Sequence, residues 1–141
     1  MDANQLANEV AHAMLAGEGT GPAWGIAIEE ARAGYARLSM VVRPDMLNSH
    51  GIAHGGMIFA LADTAFAYVC NGANHASVAA QASIVFLDKV AAGETLIAEG
   101  QEVAHEGRAG VTRVAVRSSD GRSIAEFTGY SRTLGGAVID N

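Results

Sequence analysis

Residues 55–71, GGMIFALADTAFAYVCN, constrain the fold most, because this stretch is almost wholly apolar and contains a single charged side chain, Asp63. From Gly55 to about Tyr68 the pattern is helical and apolar on nearly all sides, and a helix without a polar face is a buried helix. No apolar run reaches the ~18 residues that a membrane-spanning helix needs, because Asp63 interrupts the longest one. The stretch therefore predicts a core helix that the rest of the chain covers.

The remainder of the chain favours strands. A short N-terminal helix is predicted at 3–16, with Asp2 as a candidate N-cap and glycines and Pro22 after its end. Patterning then predicts six strands, at 24–30, 35–43, 76–87, 95–105, 111–118 and 123–134. The Asp-Gly within 119–122 predicts a hairpin, and short turns between successive strands predict a mainly antiparallel sheet. The expected fold class is α+β, with a curved sheet wrapped around one long central helix.

Composition narrows the class of protein. A chain of 141 residues suggests one domain, residues 1–141, and its net charge of −6 argues against a nucleic-acid-binding surface. The N-terminus lacks the pattern of a secretory signal, and the one cysteine, Cys70, cannot form an internal disulfide. These features predict a cytoplasmic protein that does not span a membrane. A small anionic ligand held by a few local arginines stays compatible with the negative charge.

Asp63 is the first candidate for a catalytic residue. Its neighbours three and four residues away are all apolar: Phe59, Ala60, Phe66 and Ala67. A buried carboxylate without a cationic partner has a raised pKa, and such groups are suited to proton transfer or nucleophilic attack. The alternative is a structural role, in which Asp63 hydrogen-bonds Thr64, a backbone group or a water molecule.

Gly55 and Gly56 supply a second functional element. They stand at the predicted helix start, where free N–H groups and the positive end of the helix dipole attract a polarised carbonyl oxygen, and glycine permits close approach. Gly55 and Asp63 are eight residues apart, or roughly 12 Å along one helix, so a single chain cannot bring both to one reacting group. Two antiparallel copies of the helix could do so. The spacing therefore predicts active sites shared between the subunits of a dimer.

Three stretches resemble one family. Residues 48–67 (NSHGIAHGGMIFALADTAFA), 84–96 (IVFL…AGETL) and 131–136 (SRTLGG) are similar to the PaaI-type, hotdog-fold acyl-CoA thioesterases of phenylacetate degradation, and the resemblance extends from about residue 5 to residue 138. It implies a hotdog fold, dimers that pair into tetramers, and active sites at the subunit interface. It also implies hydrolysis of ring-bearing acyl-CoA thioesters, such as phenylacetyl-CoA or hydroxyphenylacetyl-CoA, without a metal or redox cofactor.

The resemblance also assigns roles to residues. Asp63 matches the catalytic carboxylate, acting as nucleophile or general base, and Gly55 matches the residue whose N–H polarises the thioester carbonyl. His54 and Asn48 match residues that position the loop or the thioester. The family pattern is not met on the strand that follows the helix, where related enzymes carry a water-orienting Ser or Thr. The nearest hydroxyls, Ser77 and Ser83, stay open as substitutes.

Further residues are candidates for substrate binding. Gly56, Phe59 and Phe66 could border the acyl group, although helical spacing favours core packing for both phenylalanines. Six cations are available for the phosphates of coenzyme A: Lys89, Arg108, Arg113, Arg117, Arg122 and Arg132. Lys89 and Arg132 are preferred because they lie in or near the family-like stretches, whereas alternation with valines places Arg113 and Arg117 on a solvated face.

Three other functions are alternatives for this sequence. His50 and His54 are four residues apart, but glycines place them in a loop and no third ligand follows, which disfavours zinc. An enoyl-thioester hydratase or dehydratase is an alternative enzyme class for the same fold. A non-catalytic acyl-CoA sensor is the third hypothesis, although the N-terminal twenty residues are too short and too acidic for a DNA-binding segment.

Overall fold

The computed structural model describes residues 1–141. The first half contains two helices, two strands, a 3-10 turn and a long helix: α1 (Ala3–Gly17), α2 (Thr20–Trp24), β1 (Ala27–Arg32), β2 (Tyr35–Val41), the turn at Pro44–Met46, and α3 (Gly55–Asn71). The second half contains four strands: β3 (Ser77–Phe86), β4 (Thr95–Glu106), β5 (Ala109–Ser118) and β6 (Ser123–Thr133). None of the helices combines the length and the apolar character that crossing a membrane requires.

The six strands form one sheet in the order β1-β2-β4-β5-β6-β3, and every neighbouring pair is antiparallel. The predicted α+β architecture is therefore confirmed, with β1 and β3 as its two edges. The predicted hairpin at 119–122 is also confirmed, since the Ser118 N–H donates to the Arg122 carbonyl at 3.0 Å. One prediction was wrong, because Trp24 ends the short helix α2 and does not begin a strand. Pro22 is tolerated there, since its missing N–H falls in the first helical turn.

Both long helices begin at a side-chain cap, which is Asp2 for α1 and His54 for α3. The Asp2 carboxylate accepts the Gln5 N–H at 2.8 Å, and the Gln5 side chain accepts the Asp2 N–H at 2.9 Å, which together form a capping box. At the other end of α3, the Asn71 side chain accepts the Ser77 N–H at 2.9 Å and donates to the Ser77 carbonyl at 3.1 Å. These bonds tie the end of α3 directly to the start of β3.

The core lies between α3 and the concave face of the sheet. Four alternating residues of β2 and its extension face inward and are at most 1% exposed: Ala36, Leu38, Met40 and Val42. Glycines in the sheet let α3 approach closely, because a Cβ at Gly129 would lie 2.6 Å from the ring of Phe66. Leu61 and Ala62 are 0% exposed on the same side of α3. The predicted core helix is thus confirmed for the face that meets the sheet.

The opposite face of α3 is not covered within one chain. Gly56, Ala60, Asp63, Ala67 and Cys70 follow one another at spacings of three and four residues, so they lie on one side of the helix. All five are at least partly exposed. We call them the open stripe. Asp63 is its only charged residue.

Candidate active site

The N-terminus of α3 is organised by His54. Its backbone is extended, and its Nδ1 accepts the Gly56 N–H at 2.8 Å, so that the imidazole acts as the N-cap. In the neutral ring this bond places the proton on Nε2. A Cβ at Gly56 would lie 2.9 Å from His54 Nδ1, which explains why a glycine stands beneath the ring.

The Gly55 N–H is left free. It donates to no group of the chain, whereas the next amides bond to the His54 side chain and carbonyl. A Cβ at Gly55 would lie 3.0 Å from Cζ of Phe86, at the end of β3, so the position favours glycine. A free amide at the positive end of a helix dipole can polarise a carbonyl oxygen.

Asn48 holds the loop that leads into α3. Its Oδ1 accepts the His50 N–H at 2.9 Å, and its backbone N–H donates to the Ile52 carbonyl at 2.8 Å. Leu47 and Ala53 form an isolated β-bridge that closes the same loop. The contacts of Asn48 and His54 are thus the local bonds that fix the position of the Gly55 amide.

Asp63 is half-buried and has no bonding partner in the chain. No side chain or backbone group donates to its carboxylate, and it belongs to no ion pair. The neighbouring Thr64 hydroxyl donates instead to the Ala60 carbonyl at 2.7 Å, so the Thr64 bond of the structural alternative is absent. Burial raises the pKa of the Asp63 carboxyl above its ordinary value. The group is therefore a carboxylate that readily accepts a proton.

Gly55 and Asp63 lie on one uninterrupted helix. Eight residues at 1.5 Å each separate them by roughly 12 Å along the axis. The structure therefore does not bring the free amide and the lone acid together within one chain.

The aromatic candidates occupy the core side of α3. Phe66 is 1% exposed, with its ring centroid 5.8 Å from that of Phe127, so the structure places it inside the core and away from a ligand-facing surface. Phe59 is partly buried and packs edge-to-face against Phe127 at 5.3 Å. Of the two, only Phe59 has surface left for a ligand.

The cationic candidates are not close to one another. Lys89 and Arg132 are both exposed and belong to no ion pair. Arg132 is the register partner of Val78 at the start of β3, whereas Lys89 follows the end of that strand at Phe86. The eight steps from Val78 to Phe86 span roughly 26 Å, so Lys89 and Arg132 flank opposite ends of β3.

Two of the other cations are already engaged. Arg117 pairs with Glu99, and Arg122 bonds to Asp88 at 2.9 Å and to Glu94. Arg122 therefore joins the loop after β3 to the β5–β6 turn, which is a structural role.

A groove of about 840 Å³, which the sequence did not predict, lies beyond the C-terminal end of α3. Its inner wall on the sheet carries four hydroxyl side chains: Ser77, Thr112, Ser131 and Thr133. Cys70 and Glu102 also line it. One signal could have found it, since hydroxyl residues stand at positions of β5 and β6 that alternate with outward-facing residues, where a closed core would have apolar ones. No three His, Cys, Asp or Glu side chains are grouped so that they could hold a metal ion.

Comparison with known proteins agrees with this geometry. Residues 50–125 match the Thioesterase superfamily. The acyl-coenzyme A thioesterase PaaI of Escherichia coli is 41% identical over 129 residues, which cover 91% of each chain. The solved structure of E. coli PaaI, from the phenylacetic acid degradation operon, superimposes with a TM-score of 0.94 at 38% identity, covering 96% of this chain and 99% of that chain. A Streptococcus mutans protein bound to acetyl CoA matches with a TM-score of 0.77 at 27% identity, covering 79% and 90%.

The chain belongs to the thioesterase superfamily and, within it, to the family of PaaI acyl-CoA thioesterases, and it has their hotdog fold.

Proposed function

We propose that this protein hydrolyses aryl-acetyl-CoA thioesters, such as phenylacetyl-CoA or hydroxyphenylacetyl-CoA, to the free acid and coenzyme A in phenylacetate catabolism. The observation that carries the proposal is the unpaired Asp63 carboxylate, with its raised pKa, on a helix whose first amide is free. The high identity to E. coli PaaI supports the same substrate class. No contact in the structure favours hydratase chemistry or a sensor function over hydrolysis.

The Gly55 amide and the Asp63 carboxylate have different roles in the proposed reaction. The Gly55 N–H binds the thioester oxygen as negative charge develops on it. As a general base, Asp63 takes a proton from water while the water oxygen bonds to the carbonyl carbon; the C–S bond then breaks and the thiolate takes up a proton. As a nucleophile, Asp63 attacks the carbonyl carbon, and the C–S bond breaks to give a mixed anhydride and the thiolate, which takes up a proton. Water then hydrolyses the anhydride to the free acid and restores the Asp63 carboxylate. His54 and Asn48 position the Gly55 amide in both routes.

The complete site needs two copies of the chain. The open stripe of α3 and the uncharged edge of β3 lie next to each other, because Phe86 of β3 packs against Gly55 of α3. A two-fold axis perpendicular to α3 makes the α3 helices of the two copies antiparallel, so that Gly55 of one copy can reach Asp63 of the other. Two such dimers form the tetramer that the family resemblance implies.

The remaining proposals follow from the same family. The protein acts in the cytoplasm as one hotdog domain over residues 1–141, with acyl-CoA as its ligand and neither nucleic acid nor membrane as a partner. Gly56 and Phe59 border the acyl group. Lys89 and Arg132 are the first candidates to contact the phosphates of coenzyme A, and their positions at opposite ends of β3 require different copies or different phosphates.

The first experiment measures free-thiol release from phenylacetyl-, hydroxyphenylacetyl- and straight-chain acyl-CoAs, with wild type and Asp63→Asn. We expect the aryl-acetyl thioesters to react fastest and the variant to lose at least about a hundredfold, since positioned acid–base groups contribute that much. Crotonyl-CoA, assayed for hydration, serves as the control for hydratase activity. Full activity in Asp63→Asn, or tight binding of acyl-CoA without turnover, would contradict the proposal.

A further inference from the structure

Phe86 is a half-exposed aromatic residue to which the proposed function gives no role. It is the last residue of β3 and is 50% exposed. Its register partner on β6 is Ala125, which is 1% exposed, and directly opposite residues of an antiparallel pair point to the same face of the sheet. The Phe86 side chain therefore lies on the core-facing side of β3, although half of its surface stays uncovered.

The Phe86 ring is uncovered because α3 begins beside it. Ile84, two residues earlier on the same face of β3, packs against the core. Phe86 lies next to Gly55, the first residue of α3, so no earlier turn of the helix exists to cover the ring. An inward-pointing aromatic side chain with half of its surface free has a large apolar area to offer a ligand.

The same ring lies close to the free amide of α3. Its Cζ and Cε1 atoms would lie 3.0 Å and 3.3 Å from a Cβ at Gly55. Since a Cβ is about 2.5 Å from the nitrogen of its own residue, Phe86 Cζ lies within about 5.5 Å of the Gly55 nitrogen. That amide donates to no group of the chain. The exposed ring and the free hydrogen-bond donor are therefore neighbours.

An aryl-acetyl thioester matches this spacing. A carbonyl oxygen that accepts the Gly55 N–H lies about 2.9 Å from the nitrogen. In an aryl-acetyl group a single methylene joins the carbonyl carbon to the ring, so the ring stays close to the bound oxygen. Aromatic rings attract each other at centroid distances of about 4.5–7 Å, in offset-stacked or edge-to-face arrangements. A saturated group in the same position lacks that attraction.

We propose that Phe86 binds the ring of the acyl group and so favours aryl-acetyl groups over saturated acyl groups of similar size. The proposal rests on the proposed function and adds to its site a residue of β3 that determines specificity. Phe59 follows Gly55 by four residues, lies on the same side of α3 and is only partly buried, so it extends the apolar wall by one helical turn. The acyl ring lies against Phe86 while its carbonyl oxygen accepts the Gly55 N–H.

Val85 provides a matched control on the same strand. It precedes Phe86, is 60% exposed and has Glu126 as its register partner, so its side chain points to the opposite face of the sheet. Both residues belong to the β3 edge that pairs with a second copy in the proposed dimer. A substitution that acts only by weakening that pairing should therefore have similar effects at Val85 and at Phe86.

The test compares kcat/KM for phenylacetyl-CoA and cyclohexylacetyl-CoA, which carry an aromatic and a saturated ring on the same acetyl group. We expect Phe86→Leu to lower the ratio of the two values, phenylacetyl over cyclohexylacetyl, about threefold to tenfold, since an aromatic pair contributes that much beyond the burial of area. Val85→Ala should keep the wild-type ratio. Sedimentation velocity shows whether each variant keeps its assembly, and Phe86→Ile takes the place of Phe86→Leu if the leucine variant does not fold.

Three outcomes would overturn the inference. The ratio could stay at its wild-type value in Phe86→Leu. The values for both substrates could fall by the same factor in that variant, which would place Phe86 beside the pantetheine arm or in the subunit contact alone. Val85→Ala could change the ratio as much as Phe86→Leu, which would make the edge pairing, and not the ring, the cause.

Binding of ketone analogues separates this inference from the proposed function. These analogues carry a methylene between the sulfur of coenzyme A and the carbonyl, so they contain no thioester to cleave. The phenylacetyl ketone should bind Phe86→Leu about threefold to tenfold more weakly than wild type, and the cyclohexylacetyl ketone should bind both alike. If wild type cleaves no thioester, the proposed function fails while this comparison still decides the inference. If aryl-acetyl thioesters are hydrolysed but neither ratio depends on residue 86, the inference fails alone.

Discussion

The two edges of the sheet are built differently. β1 has six residues, of which Glu29, Glu30 and Arg32 are charged, and α1 packs against it. β3 has ten residues and no charge, and three of its apolar side chains are strongly exposed: Val78 at 48%, Val85 at 60% and Phe86 at 50%. Charged residues and helix cover are the usual means by which an edge strand avoids pairing with another chain.

The difference supports the proposal that β3, and not β1, is the edge that pairs with a second copy. β1 is protected in the single chain, whereas β3 leaves a long row of unpaired backbone groups beside the open stripe of α3. Adding a strand at such an edge satisfies those groups, and a two-fold axis makes the addition self-limiting. The edge without charges and the helix face with the lone acid therefore belong to one surface.

The largest expected effect comes from placing a charge on each edge in turn. Ala80→Lys puts a lysine on exposed β3, where two copies would meet with like charges, and we expect a monomer with at least a hundredfold less thioesterase activity. Ala27→Lys makes the same change on exposed β1 and should alter neither property. Sedimentation velocity and thiol release check both variants. A monomeric Ala80→Lys variant that keeps its thioesterase activity would show that pairing at the β3 edge is not needed for the active site.

A second prediction removes the free amide alone. Proline at the first position of a helix is tolerated and has no N–H, and the extended His54 backbone accepts a following proline. Gly55→Pro should therefore lower kcat by about 10²–10³, as the loss of one oxyanion donor does. Gly55→Ala brings the same Cβ against Phe86 but keeps the N–H, so it should lose far less. Equal losses in the two variants would point to packing as the cause.

Mixing inactive variants tests whether the β3 edge joins two half-sites. Co-expressed Asp63→Asn and Gly55→Pro chains should form mixed dimers, each with one intact site of two. Random pairing makes half of the dimers mixed, so about a quarter of wild-type activity should return. Recovery is measured against either variant alone. No recovery in verified mixed dimers would show that each chain contains its own complete site.

The pH dependence follows from the burial of Asp63. Because its pKa is raised, kcat/KM should fall as the pH drops through an apparent pKa above the ordinary value of about 3.9. A profile that stays flat down to pH 4 would contradict a carboxylate that must be ionised.

The smallest expected effect is on stability, and a substitution at Asp63 of α3 should change it in the opposite direction to one at Asp2, the N-cap of α1. A raised folded-state pKa means that Asp63 favours the native state only when protonated, so its destabilising effect grows as the pH rises through that pKa and is complete above it. Asp63→Asn should therefore raise stability at pH 7, by roughly 0.5–2 kcal/mol. Asp2→Ala removes the N-cap of α1, the helix that packs against β1, and should lower the free energy of unfolding by about 1 kcal/mol. Thermal unfolding measures both, and a destabilised Asp63→Asn would give that acid a structural role.

Local patterns allowed much of this structure to be predicted. Strand alternation and the apolar helix are encoded residue by residue, and the two elements of the site, Gly55 and Asp63, lie on a single helix. The alternating hydroxyl residues of β5 and β6 indicate polar positions on the inner face, but they do not predict the groove itself, because the residues of its wall meet only through strand register. Ser77 and Thr133, for example, are 56 residues apart in the sequence, and their hydroxyl oxygens are 3.2 Å apart. Bulges shift that register within β3–β6 and β4–β5, and each shift changes which residues face inward.

The pairing of charged side chains could not be predicted from the sequence either. From the sequence, Arg122 and Arg132 are both available cations, yet acidic residues from two loops hold Arg122, whereas Arg132 belongs to no ion pair. Phe59 and Phe66 lie on one helix, yet Phe66 is 1% exposed and packs closely against Gly129, whereas Phe59 is only partly buried.

The rigid spacing of Gly55 and Asp63 on α3 has a kinetic consequence. On the proposed shared site, a free monomer carries both halves at a distance it cannot close, so we expect it to have no activity. At protein concentrations below the dimer dissociation constant, the rate should therefore rise with the square of the enzyme concentration and become proportional to it only above that constant. The amount of enzyme that a cell makes would then determine both the number of chains and the fraction of them that have assembled into complete sites.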